Sequence, residues 1–331
     1  MAKLVQITFS AADKGKDMAY VASFKGTAVA DTLSRIRSLY YLIKSTKNWL
    51  SVLFVRYGSK EECLAHFRNG YEFSLSKRNW QKYILHTHLF SLLPSSKLTD
   101  DSITFEYHGR QLKFNFGTYG FDTVFEVFAF DPYRDFLKIV SPKGKQVVDI
   151  GAAFGDTAIY FLLEGANHVV AVEAFPSYFN LAKHNLNING FEDSSDIVLS
   201  AAGGEPGSIV IDTGSEDMFG ANLKQPKAGK TVPVITLADI VKRYNVVDGF
   251  LKLDTEGFEY EILLKTPRDV LRKFSDMLIE YHYGYERLEE YLRVCGYSMH
   301  ITGPTHVYMP HLVGEDAKNM YTGHIVAKRL D

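Results

Sequence analysis

The sequence predicts an α/β protein whose main body is a doubly wound, Rossmann-like and mostly parallel sheet, preceded by a small α+β region. Three observations predict it. Apolar runs of strand length at residues 147–150, 169–172 and 250–253 are nearly continuous, as strands buried on both faces must be. Helical patterns alternate with these runs, as in consecutive βαβ units. A final strand pair, residues 297–301 and 324–328, closes the chain and fits an antiparallel last strand.

Along the first 120 residues the pattern changes often. Residues 1–32 carry small and polar side chains with no firm period, and residues 33–49 read as a helix. Short β-like runs follow at 52–55, 63–67 and 71–73. Arg68-Asn69-Gly70 separates the last two, and its Asn-Gly pair is a strong hairpin signal. Residues 77–92 read as a helix that stops at Pro94. A second hairpin is expected from 103–107 and 111–116, turning at His108-Gly109. Residues 1–120 are therefore expected to form a separate α+β region for substrate or partner recognition, and residues 121–331 the main domain. Within the latter, 121–139 read as a helix broken at Asp131-Pro132. Glu126 and Tyr133 on that approach segment are candidates for contacts across a ligand pocket, or else surface and packing residues.

The organising stretch is Val147-Val148-Asp149-Ile150-Gly151-Ala152-Ala153-Phe154-Gly155-Asp156. A β-branched run breaks there into a glycine-flanked turn, and a helix is expected from Asp156 until Gly165 stops it. Strand, glycine turn and helix amino end make a cradle for a nucleotide-like ligand. A dinucleotide fingerprint requires G-x-G-x-x-G, with the second glycine admitting a pyrophosphate. This loop reads D-x-G-x-x-x-G with Ala153 at that place, which favours S-adenosylmethionine, a ligand without phosphate. Glu173 closes the next apolar run, where a carboxylate can accept hydrogen bonds from both hydroxyls of a ribose. Asp149, Gly151, Ala152, Gly155 and Glu173 are the candidate cofactor-binding residues. Ala201 joins them because Ser200, Ala201 and Ala202, after the strand at 197–199, leave room for an adenine ring. Short strands at 208–211 and 231–235 flank a loop, 214–230, long enough to act as a lid or substrate contact.

The second motif is Phe250-Leu251-Lys252-Leu253-Asp254-Thr255-Glu256-Gly257-Phe258-Glu259-Tyr260-Glu261-Ile262-Leu263, another buried strand that ends in carboxylates and opens a helix. Together with Asp149-Ile150-Gly151-Ala152 and Glu173 it resembles the FkbM family of S-adenosylmethionine-dependent methyltransferases, whose signature is K-x-D-x-E-G-x-E-x-x-x-L. Lys252, Asp254, Glu256, Gly257, Glu259 and Leu263 match that signature position for position. The resemblance covers residues 124–279 and implies a class I methyltransferase fold and O-methylation. Two positions depart from the family pattern. Ala153 stands where the family often has Asn, and Ala174 and Phe175 intervene between Glu173 and Pro176 where the proline usually follows directly.

Methyl transfer to oxygen needs a nucleophile aligned with the methyl group, and a weakly acidic hydroxyl calls for a base. Asp254, Glu256 and His282 are the candidate catalytic groups. The alternatives are that Asp254 and Glu256 cap the following helix at its positive end, and that His282 is structural. Nothing in the spacing requires a metal, although Asp254 and Glu280 could hold a divalent ion.

Composition narrows the partners. The chain has 331 residues, is 46% apolar and has a formal net charge of −2 from 37 basic and 39 acidic side chains. That balance gives no general attraction for nucleic acid. Together with the FkbM resemblance, which implies O-methylation, it makes a small-molecule or glycan acceptor the expected partner. The two cysteines, Cys63 and Cys295, lack metal spacing and disulfide density, which fits a reducing cytoplasm. The amino terminus does not read as a signal peptide, and the apolar stretch 39–55 is too short and too charged to span a bilayer, so no integral membrane contact is expected. A basic amphipathic segment at 35–47 packs on its own domain or rests on a membrane surface. A non-catalytic module that binds an adenosine cofactor, or an NAD-dependent oxidoreductase, are the competing functional readings. The sequence assigns no oligomeric state.

Overall fold

The computed structural model describes residues 28–211, 229–308 and 319–331. The loop at 214–230 therefore lies almost wholly outside the described residues, as do most of residues 1–32. Contacts divide the chain into two compact units, Met1–Phe130 and Asp131–Asp331. The division falls ten residues beyond the boundary expected at 120.

In the first unit the helices Ala28–Ser45 and Trp49–Arg56 are followed by the hairpin Glu62–His66 and Glu72–Ser76. Gly70 sits in the turn with φ +92°, a conformation an L side chain resists. The helix Trp80–Leu92 lays Tyr83 and Phe90 on Phe67, and the Tyr83 hydroxyl hydrogen-bonds the Thr46 hydroxyl at 2.6 Å. Strands Lys97–Leu98, Ser102–Tyr107 and Arg110–Asn115 form a second small sheet, where Phe105, Phe114 and Phe128 pack together. One expectation fails here. Residues 52–55 are helical, not extended, because Val52 and Val55 are one helical turn apart and both fully buried, so packing on one face overrides β-branched propensity.

The second unit begins with the short helix Tyr133–Phe136, after a break at Asp131, whose φ is +49°. Tyr133 is buried against Tyr160 and Phe161, which makes it a packing residue. The elements that follow are β1 (Gln146–Ile150), α1 (Asp156–Leu163), β2 (His168–Glu173), α2 (Pro176–Ile188), β3 (Ser195–Leu199), α3 (Leu237–Tyr244), β4 (Gly249–Leu253), α4 (Glu259–Lys265), β5 (Phe274–Tyr281), α5 (Glu286–Val294), β6 (Tyr297–Ile301) and β7 (Asn319–Arg329). Their order across the sheet is β6-β7-β5-β4-β1-β2-β3. β5-β4-β1-β2-β3 pair in parallel, and β7 runs antiparallel between β5 and β6. This is the class I methyltransferase fold. The strand Thr305–Tyr308, not anticipated from the sequence, pairs with the start of β7. A separate small sheet joins Gly207–Ile211 and Lys230–Ile235 to Ala201–Ala202.

The core explains the strands' composition. Val148, Ile150, Val170, Val172, Leu251, Leu253 and Ile279 are all buried between the helical layers. Register then sets the site. Ile150 lies beside Leu253 and Val172, Asp149 beside Lys252, and Glu280 beside His324. The polar residues of several distant segments thus meet at one edge, beyond the carboxyl ends of the parallel strands, where ligands of such sheets bind.

Candidate active site

The glycine loop after β1 is held from beneath by charge. Asp149 is fully buried, accepts a hydrogen bond from the Thr157 hydroxyl at 2.6 Å, and lies 3.4 Å from the Lys252 ammonium. Lys252 donates to the Gly151 carbonyl at 2.9 Å and approaches the Asp254 carboxylate at 3.7 Å, so one ammonium ties β1, its loop and the end of β4 together. Gly151 has φ +83°, and a Cβ there would lie 1.9 Å from the Asp254 carbonyl oxygen. Only glycine fits that approach. Gly155 also has φ +77° and packs so closely on Ala182 that a Cβ would lie 3.2 Å from its backbone.

The loop amides turn inward. Those of Gly151 and Ala152 donate to the Val172 carbonyl at 3.0 and 3.2 Å, and that of Gly155 donates to Ala152. The Ala153 amide donates to Glu173 Oε2 at 2.9 Å, while Glu173 Oε1 accepts from the Phe175 amide at 2.7 Å. Burial pushes the Glu173 carboxyl up to about 7 despite those two amides. Ala201, also buried, lies just past β3, where the Ser200 amide donates to the Glu173 carbonyl at 3.0 Å. The candidate cofactor residues therefore gather at the ends of β1, β2 and β3. Asp149 and Ala152 lie under the surface of that cradle and shape it.

The second group sits at the ends of β4 and β5. His282 is buried, with Nε2 3.3 Å from Glu256 Oε2 and 4.0 Å from Asp254 Oδ1, and Nδ1 3.3 Å from Glu259 Oε1. Glu256 takes φ +54°, a left-handed conformation uncommon for a non-glycine residue and costing on the order of 1 kcal/mol or more. At Gly257, φ is +110° and a Cβ would lie 2.5 Å from the Tyr283 ring.

Comparison with known proteins shows what this arrangement is similar to. Residues 149–299 match the family model described as the methyltransferase FkbM domain. That matched span contains both the glycine loop and the acidic strand ends. A curated ribosomal protein L11 methyltransferase from Marinobacter nauticus is 37% identical over 86 residues, which is 26% of this chain and 27% of that protein's length. Among solved structures, the TrmK protein of M. capricolum, solved with S-adenosyl-homocysteine, overlaps at TM-score 0.37 and 14% identity, covering 59% of this chain and 66% of its own. The tRNA m1G37 methyltransferase of M. jannaschii overlaps at TM-score 0.38 and 13% identity, covering 69% and 56%.

Within the matched span the charged residues divide into separate tasks. Glu259 closes the turn before α4, its Oε1 accepting from the Thr255 amide at 2.7 Å, the Thr255 hydroxyl at 3.0 Å and the Gly257 amide at 3.2 Å. Capping of that turn falls to Glu259, and not to Asp254 or Glu256 as the capping alternative had it. Those two are left at the edge, each about a quarter exposed. Glu280 lies beside His324, its carboxylate 3.7 Å from Nε2. Lys252 and Glu259 carry structural roles in the site that sequence reasoning did not assign, though both were visible as signature matches.

Electrostatics sharpens the picture of the acidic edge. Burial would lower the His282 pKa, but the Glu259 and Glu256 carboxylates outweigh it and raise the group well above the usual histidine value. Glu256 is raised by burial, which His282 offsets only in part. Glu259, although buried, is lowered by His282 and by the amides of Thr255 and Gly257. His324, desolvated nearby, drops to about 4 and stays neutral. Lys252 loses solvation but is held charged by Asp149 and Asp254. Among the described residues no helix is long and apolar enough to cross a membrane.

Proposed function

We propose that this chain is an S-adenosylmethionine-dependent methyltransferase that methylates a hydroxyl oxygen on a small polar molecule or glycan. The FkbM match over residues 149–299 carries the reading, because it falls on the strand ends where the charged groups converge. The residues of the cradle fit the cofactor. In a dinucleotide loop the amides at the turn face a pyrophosphate, whereas here the amides of Gly151, Ala152, Ala153 and Gly155 are engaged inside the protein. The buried Glu173 carboxyl, facing the loop amides, suits ribose hydroxyls. These features favour S-adenosylmethionine over a nicotinamide dinucleotide.

When bound, S-adenosylmethionine supplies a methyl group already activated on a sulfonium for in-line displacement. The chain's task is to bind, align and deprotonate. Glu173 holds the ribose, while Ala201 and its neighbours leave space for the base. Asp254 stands at the end of β4 beside Gly151 and accepts the hydroxyl proton. His282, which was the third candidate base, is held protonated by Glu256 and Glu259 and serves to hold the carboxylates in place. The balance of charge across the whole chain does not favour a nucleic-acid acceptor. The first 120 residues are proposed to select the acceptor or a partner, and the cytoplasm is the proposed setting.

Labelled cofactor and an acceptor panel read by mass shift test this. Transfer to oxygen is expected, and Asp254→Asn should lower turnover about a hundredfold while cofactor affinity by calorimetry stays nearly unchanged. A methyl found on nitrogen overturns the oxygen assignment. Tighter binding of nicotinamide dinucleotide, or no transfer to any acceptor, overturns the enzyme reading.

A further inference from the structure

The geometry points to a divalent-cation site at the carboxyl edge of β4 and β5, formed by Asp254, Glu256 and His282. One donor atom from each lies within 4.8 Å of the others, the closest described pair being Glu256 Oε2 and His282 Nε2 at 3.3 Å. Neighbouring ligands around an octahedral ion with bonds of about 2.1 Å are separated by about 3.0 Å. Asp254 and Glu256 are both partly exposed, which gives an ion a path inward.

Three features distinguish this trio from a chance cluster of acids. First, the third ligand is a buried imidazole whose Nε2 faces both carboxylates, at 3.3 Å from Glu256 and 4.0 Å from Asp254. Second, Nδ1 of that ring faces Glu259 at 3.3 Å, the carboxylate–histidine arrangement by which proteins orient a metal-binding imidazole. Glu259 is fully buried and its own Oε1 is fixed by the Thr255 and Gly257 amides, so a rigid carboxylate stands at ion-pair distance from Nδ1, which makes no hydrogen bond of its own. Third, charge is in deficit. Carboxylates of Asp254, Glu256 and Glu259 face one imidazole, and among the described residues the Lys252 ammonium, 3.7 Å from Asp254, is shared with Asp149. Carboxylates removed from water are paired with cations or coordinate metal. Mixed nitrogen and oxygen donors suit first-row divalent ions, and a three-ligand set leaves open positions.

Ion binding itself is independent of the proposed methyl transfer. Ion binding displaces the Nε2 proton of His282 to solvent, and its consequence rests on that reading: an acceptor hydroxyl coordinated at an open position would be more acidic and give its proton to water, with Asp254 a ligand instead of the proton acceptor. Glu259 is a positioning residue in this scheme.

The test titrates the chelator-treated full chain with Mn2+, without cofactor or acceptor, reading free ion by electron paramagnetic resonance. Saturable binding of one Mn2+ per chain is expected, with a histidine nitrogen coupled to the bound ion in pulsed spectra. Asp254→Asn and Glu256→Gln should each weaken binding at least tenfold, and Glu259→Gln roughly tenfold to a hundredfold. Absence of saturable Mn2+ binding, a bound ion with no nitrogen coupling, or affinity unchanged in both carboxylate variants overturns the site. The nitrogen readout requires no variant, so it stands even if a substituted chain misfolds. Mn2+ bound without methyl transfer to oxygen would sink the functional reading and leave the site. Transfer that survives chelation in a chain that does not bind Mn2+ would do the reverse.

Discussion

The glycine loop and the acidic edge lie at the same end of the same sheet and are both rich in charge, yet they use it in opposite ways. In the loop, Asp149 is matched by Lys252 and Thr157, and Glu173 by two backbone amides. That charge is spent on holding backbone shape. At the edge, three carboxylates crowd one imidazole and two of them keep contact with solvent. Buried ions whose partners are fixed make a rigid cradle, whereas ions left short of partners remain available for protons, metal or substrate.

Lys252 joins the two regions, so removing it is the strongest way to break the contrast. Lys252→Met strands the Asp149 carboxylate in the core and should cost about 3–5 kcal/mol in urea unfolding. A loss below about 1 kcal/mol would show that the loop does not depend on this ion pair. Next in size is Gly151→Ala, which forces both a left-handed backbone and a Cβ into the Asp254 carbonyl. About 2–3 kcal/mol of destabilisation is expected by thermal melting, together with lost cofactor binding.

Glu173 sharpens the contrast through pH. Its carboxyl sits at about 7 in the folded chain against an ordinary value of 4.5, so the folded state holds a proton that the unfolded state releases between those values. Its contribution to stability is then full at low pH and declines as pH rises from about 4.5 through 7. Up to roughly 3 kcal/mol is involved. Unfolding measured across that window should show this downward contribution, and Glu173→Gln should flatten it. A wild-type and variant difference that does not change with pH would contradict the burial argument. The smallest effect is a control away from both regions. Thr236 caps α3 by accepting from the Asp239 amide at 3.1 Å, with Asp239 reaching back to the Thr236 amide, and Thr236→Ala should cost about 1 kcal/mol without altering cofactor or Mn2+ binding.

Much of this was legible in the sequence. Continuous apolar runs gave away β1, β2 and β4, because strands covered on both faces can carry little else, and Gly151 and Gly155 marked the turn that only glycine tolerates. Residues 52–55 misled because a short β-branched run has no period of its own, and burial of Val52 and Val55 on one helical face decided the outcome. The identities of the edge carboxylates were also readable from the signature, but their division of labour was not. Lys252 meets Asp149 only because β4 pairs with β1 in that register, and His282 meets Glu259 only because β5 ends beside the turn before α4. A pattern along the chain reports which residues are present and how far apart they stand in sequence. Which carboxylate caps a turn, which holds a proton and which remains available is set by distance and desolvation in three dimensions, and those belong to the tertiary structure alone.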